Sequence, residues 1–135
     1  MSYYANGASV REIDSTLFAA WVAANNPKAT GWTLIADPPS TRHSWSGSAW
    51  VGPSLDTLKA ERIAAINAEC TARILAVWPM EKQISATLGI YGANELAVMT
   101  DFIDAHIAAS NTATSAVFDA PNQASMEAVT VTWPV

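Results

Sequence analysis

Between Pro53 and Pro79 the chain carries its longest uninterrupted periodic segment, and that segment fixes what the remainder must do. Ile63, Ile66, Cys70, Ile74 and Val77 follow one another at steps of three, four, four and three. At about 100° per residue they form one stripe on one helical face. Ser54 is placed to cap the first turn with its hydroxyl, and Asp56 suits the positive end of the helix dipole. Glu69 and Arg73 have the i,i+4 order that favours an exposed helix. Pro79 restricts the backbone of Trp78, so the helix over Leu55–Trp78 should stop near Val77. A stripe of this length calls for a cover. It lacks the three or four heptads of a coiled-coil seam.

The segments around it supply candidates for that cover. Tyr3-Tyr4 and Ser9 to Ile13 flank an Asn6-Gly7 turn dipeptide and suggest a small hairpin. Ser15 reads as the cap of a short helix whose Leu17, Phe18, Trp21 and Val22 make i,i+4 pairs, with Trp21 as a core anchor. That helix should fade at Asn25-Asn26-Pro27. Trp32 to Ala36 is a candidate strand stopped by Asp37-Pro38-Pro39. Gly47-Ser48 suits a two-residue type II′ turn. It would pair Ser46 with Ala49 and set Trp45 opposite Trp50 on one face of a ribbon.

Beyond the central helix, Met80, Ile84 and Leu88 step by four over a short helix broken at Gly89-Ile90-Tyr91-Gly92. Asn94 can cap the next helix, where Leu96, Met99, Ile103 and Ile107 form a stripe over Glu95 to about Ala109. Ser110 to Thr114 reads as a polar end or turn, and Asp119-Ala120-Pro121-Asn122 as a turn cluster. Val129, Val131 and Trp133 alternate with Thr130 and Thr132, the pattern of a strand with one face to bury. Such a strand would join the N-terminal strands or add to a partner's sheet edge. The expectation is an α+β chain in two lobes. Residues 1–52 form a β-rich lobe with one short helix; residues 53–135 form a hairpin or bundle of three helices with a C-terminal strand.

Composition narrows the function classes. Only 14% of residues are charged, against a usual quarter, which suits a surface living inside an assembly. Seven Lys and Arg stand against twelve Asp and Glu, a net charge of −5. With no basic run, a phosphate backbone would be repelled, so no nucleic-acid partner is expected. Cys70 is the single cysteine, so no internal disulfide can form, and on the apolar stripe it reads as a small buried hydrophobe. No stretch approaches the roughly 20 apolar residues of a membrane span, and no cleavable leader is evident. No membrane partner is expected, and synthesis in a cytoplasm is.

The residues also argue against catalysis. His43 lies in a polar loop, and His106 flanks its helix's stripe as a surface or partly buried imidazole. Two His and one Cys lack metal-site spacing. No phosphate loop or nucleophile elbow occurs. Asp101 and Asp104, one turn apart, read as a solvated face rather than an acid/base pair. The expectation is a non-enzyme without cofactor or metal. Its candidate partner-binding residues are Trp45, Trp50, Val129, Val131 and Trp133.

Two stretches carry a resemblance. Tyr3-Tyr4, the Asn6-Gly7 turn, the Trp-bearing helix, Gly31 to Pro38 and the Trp-containing segment Ser44 to Val51 resemble the front half of bacteriophage tail-fibre assembly proteins. Leu58 to Cys70, followed by Trp78-Pro79-Met80-Glu81-Lys82-Gln83, resembles a helical segment of small phage tail accessory proteins, and Met99 to Ile107 fits the helix that often follows. The resemblance implies a tail-fibre or baseplate partner. It also implies a homo- or hetero-oligomeric setting, a place in the virion tail or in the host cytoplasm during assembly, and no catalytic residues. The competing reading is a glycan-binding accessory module using the Trp45/Trp50 pair.

Overall fold

The computed structural model describes all 135 residues. It is a mixed α+β structure, 56% helical, with five α-helices and sheets of three and two strands. The chain divides into two compact units, Met1–Pro53 and Ser54–Val135.

The first unit is built on β1 (Ser2–Asn6), with β2 (Ser9–Ile13) antiparallel on one side and β3 (Thr33–Ile35) antiparallel on the other. Asn6 pairs with Ser9, so the hairpin loop is Gly7-Ala8, one residue beyond the dipeptide the sequence suggested. Gly7 takes the positive φ of +61° that this tight loop requires. Tyr3 and Tyr4, adjacent on β1, point to opposite faces. Tyr4 is buried and stacks on Phe18, ring centroids 4.0 Å apart. Phe18 belongs to α1 (Ser15–Ala23), which covers that face. Tyr3 meets Trp50 edge-on at 5.8 Å on the other face. Trp50 lies on the ribbon of β4 (Ser44–Trp45) and β5 (Trp50–Val51). Ser46 and Ala49 close the ribbon's turn, and Trp45 faces Trp50, the register that Gly47 favours.

The cap of α1 is Asp14, not Ser15: its Oδ1 accepts the Leu17 amide at 2.9 Å. A carboxylate outcompetes a hydroxyl here because it also complements the helix dipole. Asp14→Ala should lower the stability of this unit by about 1 kcal/mol, measured by urea unfolding. Ser15→Ala should change it by far less. After α1, Asn25 adopts a left-handed φ of 51° and a single 3-10 turn, Pro27–Ala29, follows.

In the second unit, α2 (Leu55–Val77) carries the Ser54 cap, whose hydroxyl accepts from the Thr57 amide at 3.1 Å. It ends at Trp78 before Pro79. Next come α3 (Met80–Thr87), α4 (Gly92–Asp119) and α5 (Gln123–Glu127). There are thus four helices here rather than three, because Asn122 caps a short α5 through the Ser125 amide at 2.8 Å. The turn cluster contracts to the few residues before it.

Helices α2 and α4 run antiparallel. Lys59 Nζ donates to the Phe118 carbonyl at 2.7 Å at one end. The Cys70 thiol lies 3.5 Å from the His106 carbonyl in the middle. Trp78 packs with Met99 at the other end. Ile66, Ala113, Val117, Ala120 and Met126 form one core cluster, and Trp78, Ala86 and Met99 a second. Ile66 and Val117 are fully buried, each contributing about 1.5–3 kcal/mol by removal from water.

Helix α4 overruns the end expected for it near Ala109. The polar run does not break it, because hydroxyls bond back into the helix: Thr112 Oγ1 donates to the Ala108 carbonyl at 3.0 Å. Ser110 Oγ donates to Asn67 Oδ1 at 3.2 Å, which ties α4 to α2. The buried stripe of α4 follows Met99, His106, Ser110, Ala113 and Val117, and leaves Ile107 exposed. Asn94 lies inside the first turn instead of capping it.

The expected C-terminal strand is absent. Val129 to Val135 adopts no regular structure and pairs with no sheet. Its apolar side chains find the α2–α4 core first, and Val129, Val131 and Trp133 pack against the cluster around Ile66.

Candidate functional site

The polar groups offer little chemistry. His43 Nδ1 lies 2.8 Å from Ser40 Oγ, but that hydroxyl also accepts the Arg42 amide at 3.2 Å, and the pair fastens a loop. A serine nucleophile needs a base oriented by a third group and a donor pair for the oxyanion; here the Ser40 hydroxyl is tied to its own loop through His43 and the Arg42 amide. His106 is buried rather than superficial, with 3% of its surface exposed. Its Nδ1 bonds the Phe102 carbonyl at 2.8 Å, which fixes the ring against Phe102 and Trp133. Asp101 and Asp104 are both exposed on α4. No group of three His, Cys, Asp or Glu side chains converges as a metal site would require.

Trp45 and Trp50 come together, with ring centroids 5.4 Å apart and planes at 71°. The Trp45 indole N–H donates to the Gly7 carbonyl at 3.1 Å, and that of Trp50 to the Ala36 carbonyl at 2.7 Å. Both rings are half-buried. A sugar ring stacks on an open, flat aromatic face. Here the two rings cap each other and the three-stranded sheet, and their donors are committed internally.

Val129, Val131 and Trp133 are likewise engaged within the chain. Arg62 Nη2 donates to the Val129 carbonyl at 3.2 Å. Trp133 lies between the His106 ring, stacked at 6.1 Å with planes 20° apart, and the Arg73 guanidinium, 5.0 Å from its centroid. These side chains are half-buried against α2 and α4 of the same chain, which removes the premise of a strand held out for a partner's sheet.

The open apolar surface lies elsewhere. On α3 the buried residue is Ala86, packed beside Trp78 and Met99, while the Met80, Ile84 and Leu88 stripe points out. Met80 is 59% exposed, Ile84 54% and Leu88 72%. With Gln83 and Thr87 they line a shallow groove of about 290 Å³. Ile90 and Tyr91, in the connection to α4, are also exposed. A second open feature is Phe118, 72% exposed beside a hollow of about 490 Å³ lined by Asp56, Lys59, Ala60 and Ile63. The i,i+4,i+8 spacing of Met80, Ile84 and Leu88 was readable in the sequence. Nothing there told which side of so short a helix would meet α4.

Compared with known protein families, characterised proteins and solved structures, the chain matches none.

Proposed function

We propose that this chain works by protein–protein contact, as a structural component or assembly helper of a bacteriophage tail fibre or baseplate. The observation that carries contact is the outward stripe of α3. Three large apolar side chains at i,i+4,i+8 stand in water on a helix whose other side is already packed. Exposed, contiguous apolar surface of this kind marks an interaction site more often than an ordinary monomer face. The low charge of the chain, 14%, agrees with a protein that lives among neighbours. The setting rests on the order of motifs from Tyr3 to Val51 and from Leu58 to Gln83. Within it, the chain would act in the virion tail, or in the host cytoplasm while fibres assemble.

The test is co-expression with a tail-fibre or baseplate protein encoded beside it, together with the protein inventory of purified particles. The expected result is stable co-purification in a fixed ratio. Presence in particles assigns a structural part, and co-purification without presence assigns an assembly helper. Neither co-purification nor presence overturns the proposal.

A further inference from the structure

We propose that the occupant of the α3 face is a second copy of the same chain, docked antiparallel about a two-fold axis passing beside Ile84. The inference takes the contact reading above one step further by naming the partner at that surface.

Three observations select a second copy. The stripe is close to symmetric about its middle. In an antiparallel pair Ile84 meets Ile84 on the axis, and Met80 of each copy meets Leu88 of the other, so every rung joins two large flexible or branched side chains. Such an isologous contact uses one patch twice and closes on itself. The groove of about 290 Å³ between these residues has room for an inserted side chain from the facing helix.

Charge points the same way. From Leu75 to Asn94 the charged residues are Glu81 and Lys82, one of each sign, in a chain of net −5. Two acidic copies therefore meet at this surface with no net charge on either α3 to repel them. Antiparallel pairing also sets the N-terminus of each α3 beside the C-terminus of the other, which aligns their dipoles favourably.

Area is sufficient. Met80, Ile84, Leu88, Ile90 and Tyr91, between 44% and 72% exposed, place on the order of 500 Å² in water, near the top of the roughly 300–600 Å² patch of a typical monomer. A pair would then bury about 1,000 Å² in total, the lower bound of a specific interface and below the roughly 1,600 Å² of a standard one.

The experiment uses the full chain. Sedimentation or light scattering across the micromolar range should show a dimer. Ile84→Asp should shift it to monomer, with the helical circular dichroism and the melting temperature of a diluted, monomeric wild type retained. Phe118→Asp, more exposed than Ile84 and away from the stripe, should leave the dimer intact. Under oxidation Ile84→Cys should crosslink to itself in high yield, because the two positions meet on the axis; Cys70 is buried and adds little background. Met80→Cys should crosslink poorly with itself. A wild type that stays monomeric overturns the proposal, as does a dimer indifferent to Ile84→Asp or one in which Met80→Cys crosslinks best. The tail reading fails separately. A dimer that neither enters particles nor co-purifies with a tail protein leaves this inference standing and removes that one. A monomer that co-purifies with a fibre protein does the reverse.

Discussion

Trp78→Ala will destabilise the helical unit by about 3–5 kcal/mol, seen as a fall in the midpoint of urea unfolding followed by helical circular dichroism. Trp78 is 4% exposed, at the corner where α2 ends and α3 begins. Its ring fills the space between Ala86 and Met99, with Leu96, Phe102 and Ile103 around it. The Lys82 ammonium lies 5.0 Å from the ring centroid. Gln83 Nε2 donates to the Trp78 carbonyl at 2.7 Å, a bond the variant keeps. The expected loss is therefore one of side-chain packing, with the corner's backbone pairing intact. A domain's net stability is only about 5–15 kcal/mol, so the loss brings this unit close to unfolding. Trp78→Phe, which leaves a smaller void, should cost less than half as much. If both variants unfold at the wild-type midpoint, Trp78 is not the pin between α3 and α4.

How much of this was legible beforehand follows from what local sequence can encode. The extent of α2 was readable because both ends carry a mechanism: the Ser54 hydroxyl at the start and Pro79 after the finish. The Trp45–Trp50 register was readable because a two-residue turn with Gly47 leading allows one pairing. The orientation of α3 was not. An eight-residue helix presents two usable sides, and the choice between Met80-Ile84-Leu88 and Ala86 is made by α4, across some dozen residues of chain. A large indole at Trp78 fills that site, so the small Ala86 side fits beneath it and the bulkier stripe is turned out.

The same limit explains α4 and the C-terminal segment. Ser110 to Thr114 has the composition of a turn, but Ala113 and Val117 continue the buried spacing and their burial decides the matter. Helix propensity is a weak prior beside such packing. The C-terminal strand was misread for a related reason. Alternation marked Val129, Val131 and Trp133 as one-sided, and that much holds, since they face the core while Thr130 and Thr132 are exposed. Alternation does not say whether a strand or a helix pair supplies the other side. Here α2 and α4 do.

That assignment makes Trp133→Ala the sharper of the two packing tests, because the alternatives predict opposite results. Seated between the His106 ring and the Arg73 guanidinium, Trp133 closes one edge of the cluster around Ile66. Its ring is half-buried, so removing it should cost about 2–3 kcal/mol, below the range for a fully enclosed indole. Arg73 keeps its partner Glu69 at 2.9 Å, an exposed i,i+4 pair worth only about 0.2–0.5 kcal/mol, so little is recovered or lost there. Trp133→Phe should retain most of the stacking on His106 and fall between the two. Deleting the chain after Ala128 should cost more than Trp133→Ala, since Val129, Val131 and the Arg62 bond to the Val129 carbonyl go with it. A segment held ready for a partner's sheet would behave otherwise. Its loss would leave the unfolding midpoint unmoved and abolish only the association, and that outcome would return Val129, Val131 and Trp133 to the role their alternation first suggested.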